Sequence, residues 1–133
     1  MPAEQLRNLK VKVGLLGVTH PHADAHLRTL ELLDEVESIA AWDEGEIVVD
    51  ALKKENRPKM ETTQTTLEQI LNRQDIPIII SLGSNSRNPD WIIRAAGAGK
   101  HILTEKPVAA NSNALNRVVS VIRHAGVHLG VYY

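Results

Sequence analysis

The sequence contains no cysteine and no phenylalanine, and aromatic residues are only 3% of its 133 positions. Without cysteine there is no disulfide, no thiolate nucleophile and no cysteine-based metal site. That absence fits a reducing compartment, so a cytoplasmic protein is expected. Without phenylalanine the core must be built from Leu, Ile, Val and Ala. An excess of one charge is also missing. The formal net charge is −1, which supplies no broad attraction to nucleic acid or to an anionic membrane. No apolar run approaches the roughly 20 residues of a membrane-spanning helix, and Met1 to Leu9 lack the hydrophobic centre of a signal peptide. Neither a nucleic-acid nor a membrane partner is therefore expected. What remains is 43% hydrophobic and 23% charged, an ordinary globular composition. The length suits one domain with one core.

Apolar runs and helical periodicities alternate along the chain. Val11 to Val18 reads as a buried strand and Pro21 to Leu33 as an amphipathic helix carrying Leu27, Leu30 and Leu33. Val36 to Trp42 is a second strand and Glu46 to Glu55 a second helix, stopped at Arg57-Pro58. Lys59 to Thr63 is a short strand. Thr65 with Glu68, or Thr66 with Gln69, has the spacing of a capping box before a helix facing inward through Leu67, Ile70 and Leu71. Ile78 to Leu82 is continuously apolar, as a central parallel strand covered on both faces should be. Gly83 to Ser86 is a loop. Pro89 opens a helix with Ile92, Ala95, Ala96 and Gly99 on one face. His101 to Glu105 is a strand. Asn111, Ser112 or Asn113 caps a last helix with Leu115, Val118, Val119 and Ile122 inward, ended by Gly126. Val127 to Tyr133 is a final strand. Met1 to Leu9 is a helical turn or a frayed arm. Strands alternating with helices imply βαβ units and a doubly wound, mainly parallel sheet of six strands in three layers.

In such a sheet a ligand binds beyond the carboxyl ends of the strands, where the strand order reverses. The loops meeting there carry Gly17, Val18, Thr19, His20 and His22, then Asp43, then Ser84 and Asn85, then Glu105, Lys106 and Pro107. Gly17 permits a sharp strand-to-helix turn whose free N–H groups favour a phosphate. Asp43 ends the second strand, where a carboxylate accepts hydrogen bonds from an adenosine ribose and repels a 2′-phosphate. This favours NAD over NADP, although Asp43 and Glu44 also suit a solvated turn with Gly45. His20, His22 and His26 form an H-x-H-x-x-x-H cluster. Such triplets bind metals, and H-x-H after a strand occurs in metal-dependent TIM barrels, but that barrel needs about 200 residues or more. No metal site is expected. The favoured readings are helix capping, solvent exposure or contact with a ligand's phosphates. The Glu105-Lys106 pair puts a carboxylate and an ammonium at the sheet mouth, suited to holding an anion or orienting a hydroxyl, or else to a surface salt bridge.

The segment Ala98-Gly99-Lys100-His101-Ile102-Leu103-Thr104-Glu105-Lys106-Pro107-Val108-Ala109 resembles the "aGKHvlvEKPla" segment of the Gfo/Idh/MocA family of oxidoreductases. Ser84-Asn85 fall where that family has a Thr-Pro-Asn turn, and Asp43 at its acidic position. The resemblance runs from about Val11 to Tyr133. It implies a Rossmann domain of strand order 3-2-1-4-5-6 and an NAD(P)-dependent oxidoreductase acting on a sugar- or polyol-like alcohol. Lys106 would then lie beside nicotinamide and substrate as the catalytic candidate. The implied cofactor is NAD, with NADP disfavoured.

Two departures accompany the resemblance. The fingerprint G-x-G-x-x-G becomes Gly17, Thr19 and His22. Thr19 puts a side chain where phosphates would sit, which weakens or relocates binding unless its hydroxyl donates to them. The family's second domain, which supplies most substrate contacts, lies beyond this sequence. The expectation is a lone nucleotide-binding domain, inactive by itself and prone to form a homodimer through exposed apolar surface. The alternative is a non-catalytic binding or assembly module with a degenerate nucleotide site.

Overall fold

A computed structural model describes residues 9–63 and 66–132 of the chain. Six strands form one parallel sheet: β1 Val11–Leu16, β2 Val36–Trp42, β3 Met60–Thr63, β4 Ile78–Ser81, β5 His101–Glu105 and β6 Leu129–Tyr132. The order across the sheet is β3-β2-β1-β4-β5-β6. Five helices connect the strands: α1 Ala23–Leu32, α2 Glu46–Lys54, α3 Leu67–Leu71, α4 Asn88–Gly97 and α5 Ser112–Ala125. This is the doubly wound, three-layer Rossmann architecture that the alternating pattern and the resemblance imply. The strand order turns back at β1, which lies between β2 and β4.

Alternation along the strands builds two apolar layers. Val13 and Leu15 of β1 join Ile39, Ala41 and Ile80 under α1 and α2, which contribute Ala23, Leu27, Leu30 and Leu52. Leu16, Ala40, Trp42, Ile79 and Ile102 face the other way, beneath α3, α4 and α5. No side chain in these layers is phenylalanine, and Ile and Leu fill most of the space. Burying one such side chain fully is worth roughly 1.5–3 kcal/mol.

Helix starts follow their local chemistry. Thr66 caps α3 in a reciprocal capping box with Gln69. The alternative cap, Thr65, lies outside the described residues, as do Met1 to Asn8 of the expected N-terminal turn and Tyr133 of the last strand. Asn111 caps α5 by accepting from the Ala114 N–H at 2.9 Å.

Several boundaries differ from the sequence reading. β1 stops at Leu16 rather than Val18, because Gly17 turns the chain with φ +91°. The next N–H, of Val18, leaves the ladder for a side chain. α1 starts at Ala23 rather than Pro21, because His22 lies outside the helical region at φ −95°, ψ 3° and the Ala23 N–H closes a turn on the His20 carbonyl at 3.0 Å. β6 starts at Leu129 rather than Val127, two residues later. α5 buries only Val118 completely, and Leu115 stays 41% exposed, since the helix lies toward the sheet edge and packs chiefly on α4. Lys100 is buried, and its ammonium donates to the Arg73 carbonyl just past α3.

Candidate functional site

Because every strand is parallel, the loops after β1, β2, β4 and β5 meet at one rim. Gly17 shapes its centre. A Cβ there would lie 2.7 Å from the Leu82 carbonyl oxygen and 3.1 Å from the Trp91 ring. Gly83 is equally confined, with a built Cβ 2.9 Å from both Asn88 backbone and the Trp91 ring. Both loops therefore settle on Trp91, whose ring meets Trp42 edge-on with centroids 5.0 Å apart. The crevice where the strand order reverses has a floor of two buried indoles.

Asp43 comes to the Gly17 turn. The Val18 N–H donates to its Oδ2 at 2.7 Å, and the Gly45 N–H donates to its Oδ1 at 3.1 Å. The Gly17 N–H meanwhile donates to the Trp42 carbonyl at 2.8 Å. The carboxylate is thus aimed over the β1 end by two backbone donors. Each oxygen accepts about two hydrogen bonds, so acceptor capacity remains for a further donor such as a ribose hydroxyl.

Thr19 is exposed and His20 half-buried. The His22 N–H donates to His20 Nδ1 at 2.9 Å, so that ring nitrogen carries no proton. Burial lowers the His20 pKa from 6.5; the neighbouring His22 and His26 rings lower it further, against the opposing pull of Glu105. One donor at the α1 entrance, where a phosphate would be read, is therefore already engaged.

The other histidines converge on Glu105. His22 Nδ1 donates to Glu105 Oε1 at 3.0 Å and His26 Nε2 donates to the same oxygen at 2.8 Å. Glu105 is 4% exposed. Burial, the largest single influence, raises its pKa, but the His26 and His22 hydrogen bonds and the electrostatic attraction of the same two rings together outweigh it and hold the pKa below 4.5. Both imidazoles are spent as donors on one ionised oxygen. Among the described residues no group of three or more His, Cys, Asp or Glu side chains is arranged to hold a metal. Tyr132 stacks edge-on to His26 at 5.2 Å. Glu105, His22, His26 and Tyr132 form the polar end of a groove of about 340 Å³ that runs along α1. Glu105 therefore turns toward α1 rather than toward Lys106. Lys106 and Pro107 are exposed just past β5, joined by a cis peptide.

Ser84 and Asn85 lie exposed in the loop after β4. The Ser84 carbonyl accepts from the Arg87 N–H at 3.0 Å and the Asn88 N–H at 2.8 Å. The sequence reading overlooked Asn88, which is 2% exposed. Its Oδ1 accepts from the Ser81 hydroxyl (2.7 Å) and the Gly83 N–H (3.0 Å), and its Nδ2 donates to Thr104 Oγ1 (2.8 Å). Asn88 thereby fixes the β4 loop against the end of β5. An asparagine directly before a helix-opening proline was the available signal. Also overlooked was the Glu44–Arg87 ion pair, which joins the β2 and β4 loops at 3.4 Å.

A family model described as an oxidoreductase family with an NAD-binding Rossmann fold, GFO_IDH_MocA, matches residues 11–133. The chain is 28% identical to the dehydrogenase FPY6 of Fusarium mangiferae over 109 residues, which are 77% of this chain and 31% of that protein. It superposes on the crystal structure of myo-inositol 2-dehydrogenase from Lactobacillus plantarum with a TM-score of 0.80 at 21% identity, covering 92% of this chain and 36% of that one. On the Bordetella pertussis WlbA dehydrogenase, in complex with NADH and UDP-GlcNAcA, the TM-score is 0.82 at 22% identity, with coverages of 94% and 35%. The chain spans about a third of the length of these relatives.

Proposed function

Since the chain belongs to the Gfo/Idh/MocA oxidoreductase family by its NAD-binding Rossmann domain, we propose that its rim binds NAD across the end of β1. Asp43 takes the adenosine ribose. The Gly17–His22 turn faces the pyrophosphate, and Ser84 and Asn85 flank the nicotinamide half. The observation that carries this reading is the Asp43 carboxylate, oriented over the Gly17 turn by the Val18 and Gly45 N–H groups. The carboxylates of Asp43 and Glu44 disfavour a 2′-phosphate, which supports NAD over NADP.

When bound, the nicotinamide would supply hydride transfer to or from a sugar- or polyol-like alcohol carbon. The structurally similar WlbA dehydrogenase is in complex with NADH and UDP-GlcNAcA. Lys106 stands exposed at the mouth beyond β5, able to orient the substrate hydroxyl. Glu105 anchors the strand end that carries it.

A second reading, a non-catalytic module with a degenerate nucleotide site, is favoured by the His20 ring occupying the His22 N–H. Fluorescence titration with NADH separates the two. Saturable binding that Asp43→Ala abolishes supports the cofactor domain. No binding up to millimolar NADH supports the module.

A further inference from the structure

We propose that the Glu44–Arg87 pair sets the ribose specificity of the nucleotide site, with Glu44 engaging the Arg87 guanidinium and so withholding it from a 2′-phosphate. This rests on the nucleotide-binding reading of the same rim. Glu44 directly follows Asp43 at the end of β2. Arg87 precedes α4 in the loop after β4. Because β2 and β4 flank β1 on opposite sides, an ion pair between their loops bridges the crevice beside the Gly17 turn.

The bridge is set from below. Trp42, one residue before Asp43, meets Trp91 edge-on. Trp91 lies one helical turn beyond Arg87, and its N–H donates to the Arg87 carbonyl at 3.2 Å. The backbones of both partners are thus fixed by a buried contact, while their side chains are free to exchange partners. Arg87 Nε stands 3.4 Å from Glu44 Oε1, with side chains 64% and 42% exposed. An exposed pair of this kind contributes little stability, so exchanging the partner of Arg87 costs little.

A 2′-phosphate beside Asp43 brings up to about two negative charges to a corner holding two carboxylates. Arg87 is a cation held at that corner by Glu44, and its planar fork matches phosphate geometry. Glu44 opposes the phosphate twice, by its own charge and by occupying that fork. A 2′-hydroxyl needs neither group, since Asp43 retains acceptor capacity for it.

Titration of the chain with NADH and NADPH tests the proposal in wild type, Glu44→Gln, and Glu44→Gln combined with Arg87→Gln. Glu44→Gln is expected to shift the affinity ratio toward NADPH by about tenfold, the scale of one charge-assisted hydrogen bond. Glu44→Ala should give the same shift. Adding Arg87→Gln should remove most of it, leaving only the relief from Glu44's own charge. A ratio unmoved by Glu44→Gln, or a gain undiminished by the loss of Arg87, overturns the proposal. A wild type that binds neither nucleotide overturns the cofactor reading and this inference together. A wild type that binds NADH while the ratio stays fixed overturns this inference alone.

Discussion

Glu105 Oε1 lies 2.8 Å from His26 Nε2, a contact that ties the carboxyl end of β5 to the first turn of α1. With the second donor from His22, it keeps a nearly buried carboxylate ionised. Glu105→Gln should therefore destabilise the fold by about 2 kcal/mol, the range for a buried hydrogen bond to a charged group. The sign of the pH dependence follows from the lowered pKa. The stabilisation is complete above the ordinary value of 4.5 and is lost as pH falls from there through the lower folded value. Melting temperatures of wild type and Glu105→Gln should differ most at neutral pH and converge in acid. Parallel curves across that range would contradict this account.

Gly17→Ala should cost about 2–4 kcal/mol. The added Cβ would lie 2.7 Å from the Leu82 carbonyl oxygen, a backbone atom that has nowhere to go, at a φ of +91°. The change should also weaken the near-ultraviolet circular dichroism of Trp91, whose ring lies 3.1 Å from the same point. Urea denaturation checks the first effect and the spectrum checks the second.

The fold was legible where the pattern is local. Ile78, Ile79 and Ile80 announce a buried strand, and Thr66 with Gln69, and Asn111, mark helix starts that the structure keeps. The strand order was not local. It came from the resemblance of the Gly99-to-Pro107 segment, because periodicity is the same for any order. The boundary at Val18 was missed because its N–H is taken by Asp43, 25 residues away. The histidine cluster and Glu105 each stood out, yet their union did not, since 79 and 83 positions separate the partners. Asn88 carried no periodic signal, because its partners Ser81 and Thr104 come from two different strands.

Asn88→Ala should cost about 2–4 kcal/mol, because it strips partners from several buried groups at once. The Ser81 hydroxyl, the Gly83 N–H and Thr104 Oγ1 each lose a hydrogen bond. Asn88→Leu should be no better, since an apolar side chain of similar size satisfies none of them. Thermal denaturation measures the loss. Hydrogen exchange should show the Gly83 N–H among the amides that lose protection; its continued protection would show that the network is dispensable.

His20→Ala should act on stability and on nucleotide binding in opposite directions. The neutral His20 ring accepts from the His22 N–H, a hydrogen bond worth about 1 kcal/mol. Its folded pKa lies below 6.5, burial being the largest cause. As pH falls from 6.5 the unfolded chain takes up the proton first, and stability drains away until the folded pKa is passed. The melting-temperature gap between wild type and His20→Ala should thus be widest above pH 6.5 and narrow below it. The freed His22 N–H should at the same time serve a pyrophosphate, so NADH binding by the variant should tighten several-fold at neutral pH. Weaker binding by His20→Ala would mean that the imidazole itself contacts the phosphates, and that the ring is a ligand rather than an obstacle.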